Sequence, residues 1–415
     1  MDLVESTEMT LKIPEWLDEK FIHACLEDGK KNGEVTVKSY ETSTVAPPGN
    51  GFLSLLVRVK VKYQKKNSED VQNLSLVVKG PLGEMSSFYE TEPKFYKMFM
   101  SSALEISPDI RFAPKTYFSP VPGVIVLEDL KSECYLMAEK NEMLDYAHCR
   151  LYAIASATFH AVAVAVHEKY PTLVQSLGSE KFFSNEPSSV GIRRLFVGGL
   201  RHLAKKMKDF EEYKKYADII HSSSTAIWNM TVDVLKPNAT FNSLTQGDPW
   251  VTNMMFKYDS SRKPVEVKLL DFQGLRYSSP VVDLIFFIWS SPKHEVREKR
   301  LTDFYRVYCD TLNDKLEDYN CSERFSYEQL MEAVKRLSCK ALFVASTSFP
   351  IMMCQKNIDA GTLCLEECDE RKFTGAFDQY YDHDYCKNHL PKLLKQLDTL
   401  EVFENVITQL GLEKQ

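Results

Sequence analysis

Three oxygen-bearing side chains fall within a short segment between residues 248 and 271. Asp248 and Asn253 are five positions apart in QGDPWVTN, and Asp271 follows eighteen residues later, behind the apolar run VKLL. Phosphoryl transfer needs a carboxylate that accepts or orients a hydroxyl proton, and it needs hard oxygen ligands for Mg²⁺. The spacing therefore predicts Asp248 as the base, with Asn253 and Asp271 as magnesium ligands.

Taken alone, Asp248 and Asn253 also fit an ordinary loop, because Gly-Asp-Pro is typical of turns. Residues further upstream favour the chemical interpretation. Lys79 ends the apolar segment LSLVVK, and Glu92 follows thirteen residues later in a predicted helix. A lysine that binds ATP phosphates is commonly held by an ion pair to a helix carboxylate. Because an isolated buried charge is costly, we expect Lys79 to pair with Glu92 or, alternatively, with Glu90.

A turn rich in glycine lies between the first two predicted strands. Its sequence is PPGNG, with Gly49 and Asn50 near its centre. The backbone of such a turn could approach phosphate groups, but the segment lacks the full G-x-G-x-x-G pattern and is also typical of a hairpin. Gly49 and Asn50 are therefore nucleotide-binding candidates that depend on the residues around them.

Two regions of different character position these residues. Segments 35–45, 52–63 and 74–80 read as strands, because β-branched and apolar residues dominate them and 52–63 ends in clean alternation. A helix is predicted at 87–102, and the buried strand VIVLEDL then leads into a connector near 128–134.

After about residue 130 the pattern changes to helices. Residues 143–168 and 192–232 lack proline and carry apolar residues at helical spacing, and a loop-and-strand island occupies 241–275. We therefore predict an α+β, bilobal protein-kinase-like fold. Residues 1–130 would form a small antiparallel-sheet lobe that binds ATP, and residues 131–415 a mainly helical lobe with the catalytic loop and acceptor site.

The bulk composition argues against several classes of protein. Of the 415 residues 44% are hydrophobic and 26% charged, as in ordinary globular proteins, and the formal net charge is −7. Nucleic-acid binding through bulk charge is therefore not expected. One local group of cations stands out, and we interpret it as a solvated helix face. The group comprises Arg193, Arg194, Arg201, Lys205, Lys206 and Lys208.

Neither a targeting signal nor a membrane span is expected from the sequence. The N-terminal sequence MDLVESTEMTLKIPEW has no apolar core, so a signal peptide is not expected. The apolar stretches 281–289 and 342–354 are too short and too interrupted to span a membrane. The 10 cysteines include no C-x-x-C pair, which favours reduced thiols. We expect a soluble cytoplasmic protein without membrane or nucleic-acid partners; the sequence gives no oligomeric state.

Together, these segments resemble the ecdysteroid-kinase-like proteins of insects, a branch of the choline-kinase and aminoglycoside-phosphotransferase-like kinases. The resemblance spans roughly residues 45–290 and is most specific in QGDPWVTNMMF and LLDFQGLRYSSPVVDL. It implies a bilobal kinase fold with ATP in the cleft. It also implies a small lipophilic or amine alcohol, such as a steroid hydroxyl, as acceptor.

The resemblance also implies roles residue by residue. The catalytic aspartate corresponds to Asp248, the metal ligands to Asn253 and Asp271, and the ion pair to Lys79 and Glu92, in agreement with the spacing. Other roles rest on the resemblance alone. They fall to Glu128, Asp129 and Leu130 as the adenine-binding hinge, to Asp283 as a brace of the catalytic loop, and to His160 as a core histidine.

Two residues depart from the family pattern. Gln246 stands where the family has histidine before Gly-Asp, and Pro249 replaces the usual leucine. Glutamine can still donate and accept hydrogen bonds, and proline fixes the backbone after Asp248. We expect activity to survive these changes.

The leading hypothesis is thus an ATP- and Mg²⁺-dependent kinase of small hydroxyl compounds. The alternative is a pseudokinase that binds a nucleotide or ligand without turnover. A protein kinase fits less well, because the chain has no H-R-D or A-P-E segment. No pattern identifies the acceptor, whose pocket we expect from residues 180–210 and 340–385 of the helical lobe.

Overall fold

The structure, a computed structural model, describes five stretches of the chain. They are residues 13–30, 33–45, 54–81, 90–356 and 370–412. Gly49 and Asn50 lie outside these stretches, so the predicted glycine-rich turn is not described.

The chain forms two compact units. The first comprises Met1–Tyr96 with Pro114–Cys134, and the second comprises Lys97–Ala113 with Tyr135–Gln415. Residues 97–113, which the predicted boundary at 130 assigns to the first lobe, pack with the second unit.

The first unit is built on an antiparallel sheet with the strand order β1-β2-β3-β5-β4. Val57, Val59 and Val61 alternate along β2 and are each 1% exposed, as the period-2 pattern predicts. Helix α1 (Glu19–Leu26) packs on this face of the sheet. The strands are β1 (Val35–Thr44), β2 (Ser54–Lys65), β3 (Val71–Pro81), β4 (Thr116–Tyr117) and β5 (Ile125–Glu128).

The helix predicted at 87–102 is described from Thr91 onward and changes its pitch along its length. It consists of α2 (Thr91–Lys94), a π-helical segment (Phe95–Phe99) and α3 (Met100–Ile106). The wider π turn is a local departure from regular helix geometry that sequence periodicity does not reveal.

The second unit is mainly helical. Its central helix, α4 (Tyr146–Lys169), is buried along most of its length and packs against α10 (Leu301–Asp318). The remaining helices are α5 (Pro171–Leu177), α6 (Val190–Met207), α7 (Lys214–Val234), α8 (Val281–Ser290), α9 (His294–Lys299), α11 (Tyr327–Arg336), α12 (Ser338–Phe343), α13 (Phe349–Met353), α14 (Glu370–Tyr380), α15 (His383–Asn388), α16 (Leu390–Thr399) and α17 (Val402–Gln409). The predicted α+β class, with an antiparallel sheet followed by a mainly helical region, is confirmed.

Within the described residues, α4 is the one helix long and apolar enough to cross a membrane by length and composition. However, 78% of its most apolar window is buried inside the protein, and a buried core helix meets the same criterion. The helix is therefore weak evidence for a membrane span.

The stretch 192–232 is helical, as predicted, but it is divided into two helices. The segment forms α6 and α7, separated by the short turn Glu211–Tyr213. A single helix of that length would extend for about 60 Å, longer than a domain core. Because the chain reverses its direction at this turn, α6 and α7 pack against each other.

Four short strands in the second unit set the ends of two loops. Strand β7 (Ser243–Thr245) pairs with β10 (Arg276–Ser278), and β8 (Met254–Tyr258) pairs with β9 (Pro264–Leu269), both antiparallel. Strand β6 (Tyr135–Leu136) adds to β8. Residues 246–253 therefore run from β7 to β8, and residues 270–275 run from β9 to β10, so the paired strands hold both loops at both ends.

Candidate active site

The two loops touch through their backbones. Gly247 has φ +90°, and a Cβ added there would lie 2.0 Å from the carbonyl oxygen of Gly274. Glycine is required at position 247 both by this conformation and by the absence of space. The contact brings the loop of Asp248 against the loop of Asp271, two residues that are far apart in sequence.

Asp248 is held by Asn253, for which the sequence predicts the role of a magnesium ligand. The Asn253 Nδ2 donates to the backbone oxygen of Asp248 at 3.0 Å and to its Oδ2 at 3.3 Å. The Asn253 backbone oxygen accepts from the N–H of Leu270 at 2.9 Å, which ties the loop to the residue before Asp271. Because Asn253 uses its amide nitrogen on Asp248, its side-chain oxygen keeps its lone pairs for a cation.

The protein raises the pKa of Asp248 to about 7. The largest cause is desolvation, and the negative charge of Asp271 adds to it. Lys340 and the hydrogen bond from Asn253 oppose the shift. A carboxyl group with a pKa near neutrality is suited to accept a proton from a hydroxyl group during catalysis.

Asp271 adopts an unusual backbone conformation. Its φ is +62°, in the left-handed region that aspartate enters more readily than most residues. Gln273 Nε2 donates to Asp271 Oδ2 at 3.3 Å. Non-glycine residues in this region cost about 1–3 kcal/mol and cluster at functional sites.

Asp283, near the start of α8, braces the loop of Asp248 through hydrogen bonds to its backbone, as the resemblance implies. Its carboxylate accepts the backbone N–H of Gln246 at 2.6 Å and that of Gly247 at 3.0 Å. His160 Nε2 contacts Asp283 Oδ2 at 3.2 Å, and Tyr308 Oη lies 2.8 Å from His160 Nδ1. With its Nε2–H donating to Asp283 and Nδ1 accepting from Tyr308, His160 is the predicted hydrogen-bonded core histidine.

Gln246, which stands where the resemblance implies a histidine, links the two loops. Its Nε2 donates to the backbone oxygen of Leu270 at 2.6 Å. Its Oε1 is buried and has no hydrogen-bond partner among the described residues. The amide nitrogen of Gln246 therefore links the two loops, whereas its amide oxygen has no hydrogen-bond partner among the described residues.

In the first unit, the ion pair forms with Glu92. Lys79 Nζ lies 2.5 Å from Glu92 Oε2, and both side chains are mostly buried. The alternative partner, Glu90, is exposed and pairs with Lys94 at 2.7 Å. The contact between strand β3 and helix α2 is thus the predicted one, whereas its role toward ATP stays a prediction.

The side chains of the predicted hinge are used within the first unit. Asp129 accepts from Arg58 Nε and from Ser75 Oγ, both at 2.7 Å, and Glu128 Oε1 accepts from the N–H of Lys115 at 2.8 Å. These contacts engage both carboxylates within the first unit, and the adenine-binding role of the hinge stays a prediction. The N–H of Leu130 donates to no other group in the part of the chain that the structure describes.

Sequence reasoning missed Lys340 on α12. Its side chain is 1% exposed, and its Nζ lies 4.2, 5.3 and 4.5 Å from the ring centroids of Phe183, Phe286 and Phe343. Burial lowers the pKa of Lys340 to about 7, and the positive charge of Arg276 adds to the shift. The available signal was a single lysine inside the apolar run CKALFVAS, which has no spacing partner in the sequence.

The predicted magnesium ligands fit the ion in type. Asn253 and Asp271 offer an amide and a carboxylate oxygen, and Mg²⁺ takes few protein ligands and keeps several waters. Within the described stretches, no group of three or more His, Cys, Asp or Glu residues could hold a metal ion. The mutual repulsion of Asp248 and Asp271 is also what a nearby cation would relieve.

Comparisons with known proteins complete the description. The solved structures that match include ethanolamine kinase of Plasmodium vivax, at 11% identity over 89% of this chain and 83% of the other, with a TM-score of 0.37. A mutant aminoglycoside 2′-phosphotransferase in its GDP complex is 13% identical, with 94% and 99% covered and a TM-score of 0.38. A glucosamine kinase is 11% identical, with 94% and 83% covered and a TM-score of 0.29.

No curated protein matches the chain. The family model of the ecdysteroid kinase-like family matches residues 48–321, well over half of the 415 residues. This match includes both loops of the site, Lys79, Glu92 and the hinge. The chain therefore belongs to the ecdysteroid kinase-like family.

Proposed function

We propose that this protein is a cytosolic small-molecule kinase that transfers the γ-phosphate of ATP to a hydroxyl group. The acceptor would be a small lipophilic alcohol, such as an ecdysteroid or a xenobiotic. Membership of the family supports the class of reaction. The acceptor class rests on the resemblance of the sequence to insect members of that family.

One observation carries the proposal. The backbone contact between Gly247 and Gly274 brings a partly exposed carboxyl group, Asp248, against a second carboxylate in a strained conformation, Asp271. Two carboxyl groups held so that one raises the pKa of the other are a costly arrangement without a catalytic use. Phosphoryl transfer uses both, one for the proton and one for the metal.

Each residue then has a defined task. Asp248 accepts the proton of the acceptor hydroxyl as its oxygen attacks the γ-phosphorus in line with the departing β-phosphate oxygen. Asn253 keeps the Asp248 carboxylate in place through its amide nitrogen. When bound by Asn253 and Asp271, Mg²⁺ would neutralise the charge of the phosphate groups.

The remaining roles concern ATP. Lys79, held by Glu92, would bind phosphate oxygens, and the backbone at Leu130 would bind the adenine ring. Gln246 and Asp283 act on the loop of Asp248 from behind and touch no reactant in this scheme.

The experiment is an ATP-consumption assay with Mg²⁺ and a panel of alcohols that includes ecdysteroids, choline-like amines and plant glycosides. Asp248→Asn should lower kcat by about 10²-fold or more while ATP binding, measured by calorimetry, is retained. Asp233→Asn, an exposed change on α7, is the matched control and should leave turnover unchanged.

The outcomes separate the two candidate functions. Turnover of Asp248→Asn equal to that of the unmodified protein would contradict the assignment of the base. Binding of Mg·ATP without phosphorylation of any compound would favour a nucleotide-binding pseudokinase. The unsatisfied Oε1 of Gln246 is the observation that favours this second candidate.

A further inference from the structure

The three phenylalanine rings around Lys340 have no task in the proposed reaction, and they are called the aromatic cage below. The rings come from separate segments, because Phe183 follows α5, Phe286 lies on α8 and Phe343 ends α12. The Nζ of Lys340 lies within 5.3 Å of all three ring centroids. At such distances the face of an aromatic ring attracts a cation.

The aromatic cage lies beside the proposed base. Asp283 and Phe286 are three residues apart on α8, so they share a face of that helix, and the Asp283 carboxylate binds the backbone of the loop of Asp248. Desolvation is the largest cause of the shifted pKa values of Asp248 and Lys340, and the charge of each residue also acts on the other. An acceptor whose hydroxyl reaches Asp248 therefore has its neighbouring groups near the cage.

The aromatic cage lies at the margin of the core. Phe183, Phe286 and Phe343 are 7, 6 and 7% exposed. The rings that pack behind them are fully buried, because Trp228 stacks on Phe183 and Phe196 contacts Phe343, and both are 0% exposed. The rings of the cage therefore keep some contact with solvent.

Lys340 is the cation that the cage now holds. Among the described residues its Nζ forms neither a hydrogen bond nor an ion pair. Glu180, whose charge acts on Lys340, is in direct contact with Arg276 instead, since Nε and Nη2 of Arg276 both donate to its carboxylate. The direct partners of the Lys340 ammonium group are thus the ring faces.

The simpler interpretation is a lysine that only fills space in the core. An uncharged chain of similar length would fill that space without the cost of desolvating a charge. Ionisable groups with strongly shifted pKa values that lie in a cleft beside other charged groups are typical of functional sites. The position of Lys340 near Asp248 therefore favours a role in the reaction.

We propose that Lys340 is a specificity-determining residue that restricts the acceptor to uncharged alcohols. Its side chain covers the ring faces that the cationic group of an amine alcohol would need, so an amine alcohol loses this contact. A neutral alcohol needs no such contact and packs against the exposed parts of the rings. The inference rests on the proposed kinase function and names the class of acceptor at the same site.

The test compares two alcohols of the same shape, of which 3,3-dimethylbutan-1-ol is neutral and choline carries a quaternary ammonium group. Calorimetric titration of the full chain, saturated with Mg²⁺ and a non-hydrolysable ATP analogue, measures both affinities without turnover. The unmodified protein should bind the neutral alcohol at least about tenfold more tightly than choline. Equal affinities, tighter binding of choline or binding of neither compound would overturn the proposal.

Two variants of Lys340 separate the covering of the rings from the loss of charge. Lys340→Ala uncovers the ring faces close to the carboxylates of Asp248 and Asp283, so its affinity for choline should rise by at least about tenfold. Lys340→Met keeps the rings covered and should not gain this affinity. Lys335→Ala, which removes an exposed lysine from α11, is the control and should bind both compounds as the unmodified protein does. An equal gain in Lys340→Met, or no gain in a folded Lys340→Ala, would contradict the proposed role.

The same two alcohols distinguish a failure of this inference from a failure of the proposed function. If neither is phosphorylated with Mg·ATP but the preference for the neutral alcohol and its loss in Lys340→Ala are observed, the proposed function fails and the selectivity of the site stands. If choline is phosphorylated with a kcat/KM equal to that of the neutral alcohol, the kinase function stands and the role of Lys340 is refuted.

Discussion

The protein contains two buried lysines, Lys79 and Lys340, whose surroundings differ. Lys79 lies 2.5 Å from the carboxylate of Glu92, whereas Lys340 lies among three phenylalanine rings. Lys79 is 15% exposed at its side chain and Lys340 is 1% exposed as a residue. Lys79 is in direct contact with a carboxylate, whereas the ammonium group of Lys340 lies against aromatic rings and feels the carboxylates of Glu180, Asp248 and Asp283 as nearby charges.

This difference affects how strongly each site favours the charged form of its lysine. A carboxylate in contact with a lysine favours the charged form of that lysine, which suits a group that would bind phosphate. A cage of rings attracts a cation more weakly, so desolvation lowers the pKa of Lys340 to about 7. Lys340 thus changes its charge in the pH range in which Asp248 does.

The largest expected effect comes from breaking the ion pair. Lys79→Met should lower kcat/KM for ATP by about 10²-fold or more, because a phosphate-binding charge is lost from a partly desolvated site. Steady-state kinetics at varied ATP concentrations would measure it. Lys60→Met, an exposed change on β2, is the control, and equal activity of both variants would contradict the role of Lys79.

The two lysines should also differ in the sign of their contribution to stability. Lys79→Met leaves Glu92 buried without its closest partner and should lower the free energy of unfolding by about 3 kcal/mol. Lys340→Met places an apolar chain of similar length in the aromatic cage and should raise it by about 1–3 kcal/mol. Urea titration of both variants measures these changes, and a loss of stability in both would remove the distinction.

A smaller effect concerns pH. The base must be ionised to accept a proton, so activity should rise with pH through the pKa of Asp248, near 7. The charge of Lys340 lowers that pKa, so Lys340→Met should raise it and move the acidic limb of kcat/KM upward by about one pH unit. The loss would be about tenfold at pH 6 and smaller above pH 8.

The pH profile has its own control. Lys335→Met removes an exposed lysine from the preceding helix and should leave the profile unchanged. Besides Asp248, the charged groups that act on Lys340 are Arg276, Glu180 and Asp283, and all three stay in place in both variants. An equal loss of activity at every pH in Lys340→Met would show that the lysine acts only through packing.

The smallest effect is expected at Gln246. Gln246→His restores the residue of the family, and an imidazole N–H can also donate to the backbone oxygen of Leu270, so kcat should change by about threefold or less. Gln246→Leu loses this hydrogen bond and should lower kcat by about tenfold. A single-turnover assay that shows the reverse order would contradict the bracing role.

The sequence alone predicted those parts of the site whose residues keep a fixed spacing along the chain. The distance from Asp248 to Asn253 is set within one loop, and the Lys79–Glu92 pair joins a strand to the next helix. The α+β class followed from the change from alternating to helical periodicity near residue 130. Local geometry determines all of these features, so local patterns reveal them.

Other features depend on contacts between distant segments and could not be predicted from the sequence. Lys340 meets Phe183 and Phe286 only after α12 packs in the second unit. The break between α6 and α7 arises because both helices must bury a face in the same core.

The contact between Gly247 and Gly274 has a consequence for motion. With a carbonyl oxygen where a Cβ would be, neither loop can shift toward the other without a clash between main-chain atoms. The hydrogen bonds from Leu270 N–H to the Asn253 backbone oxygen and from Gln246 Nε2 to the Leu270 backbone oxygen resist their separation as well. The proposed base and the proposed metal ligand would therefore move together in any rearrangement that accompanies substrate entry or product release, and displacing one would also displace the other.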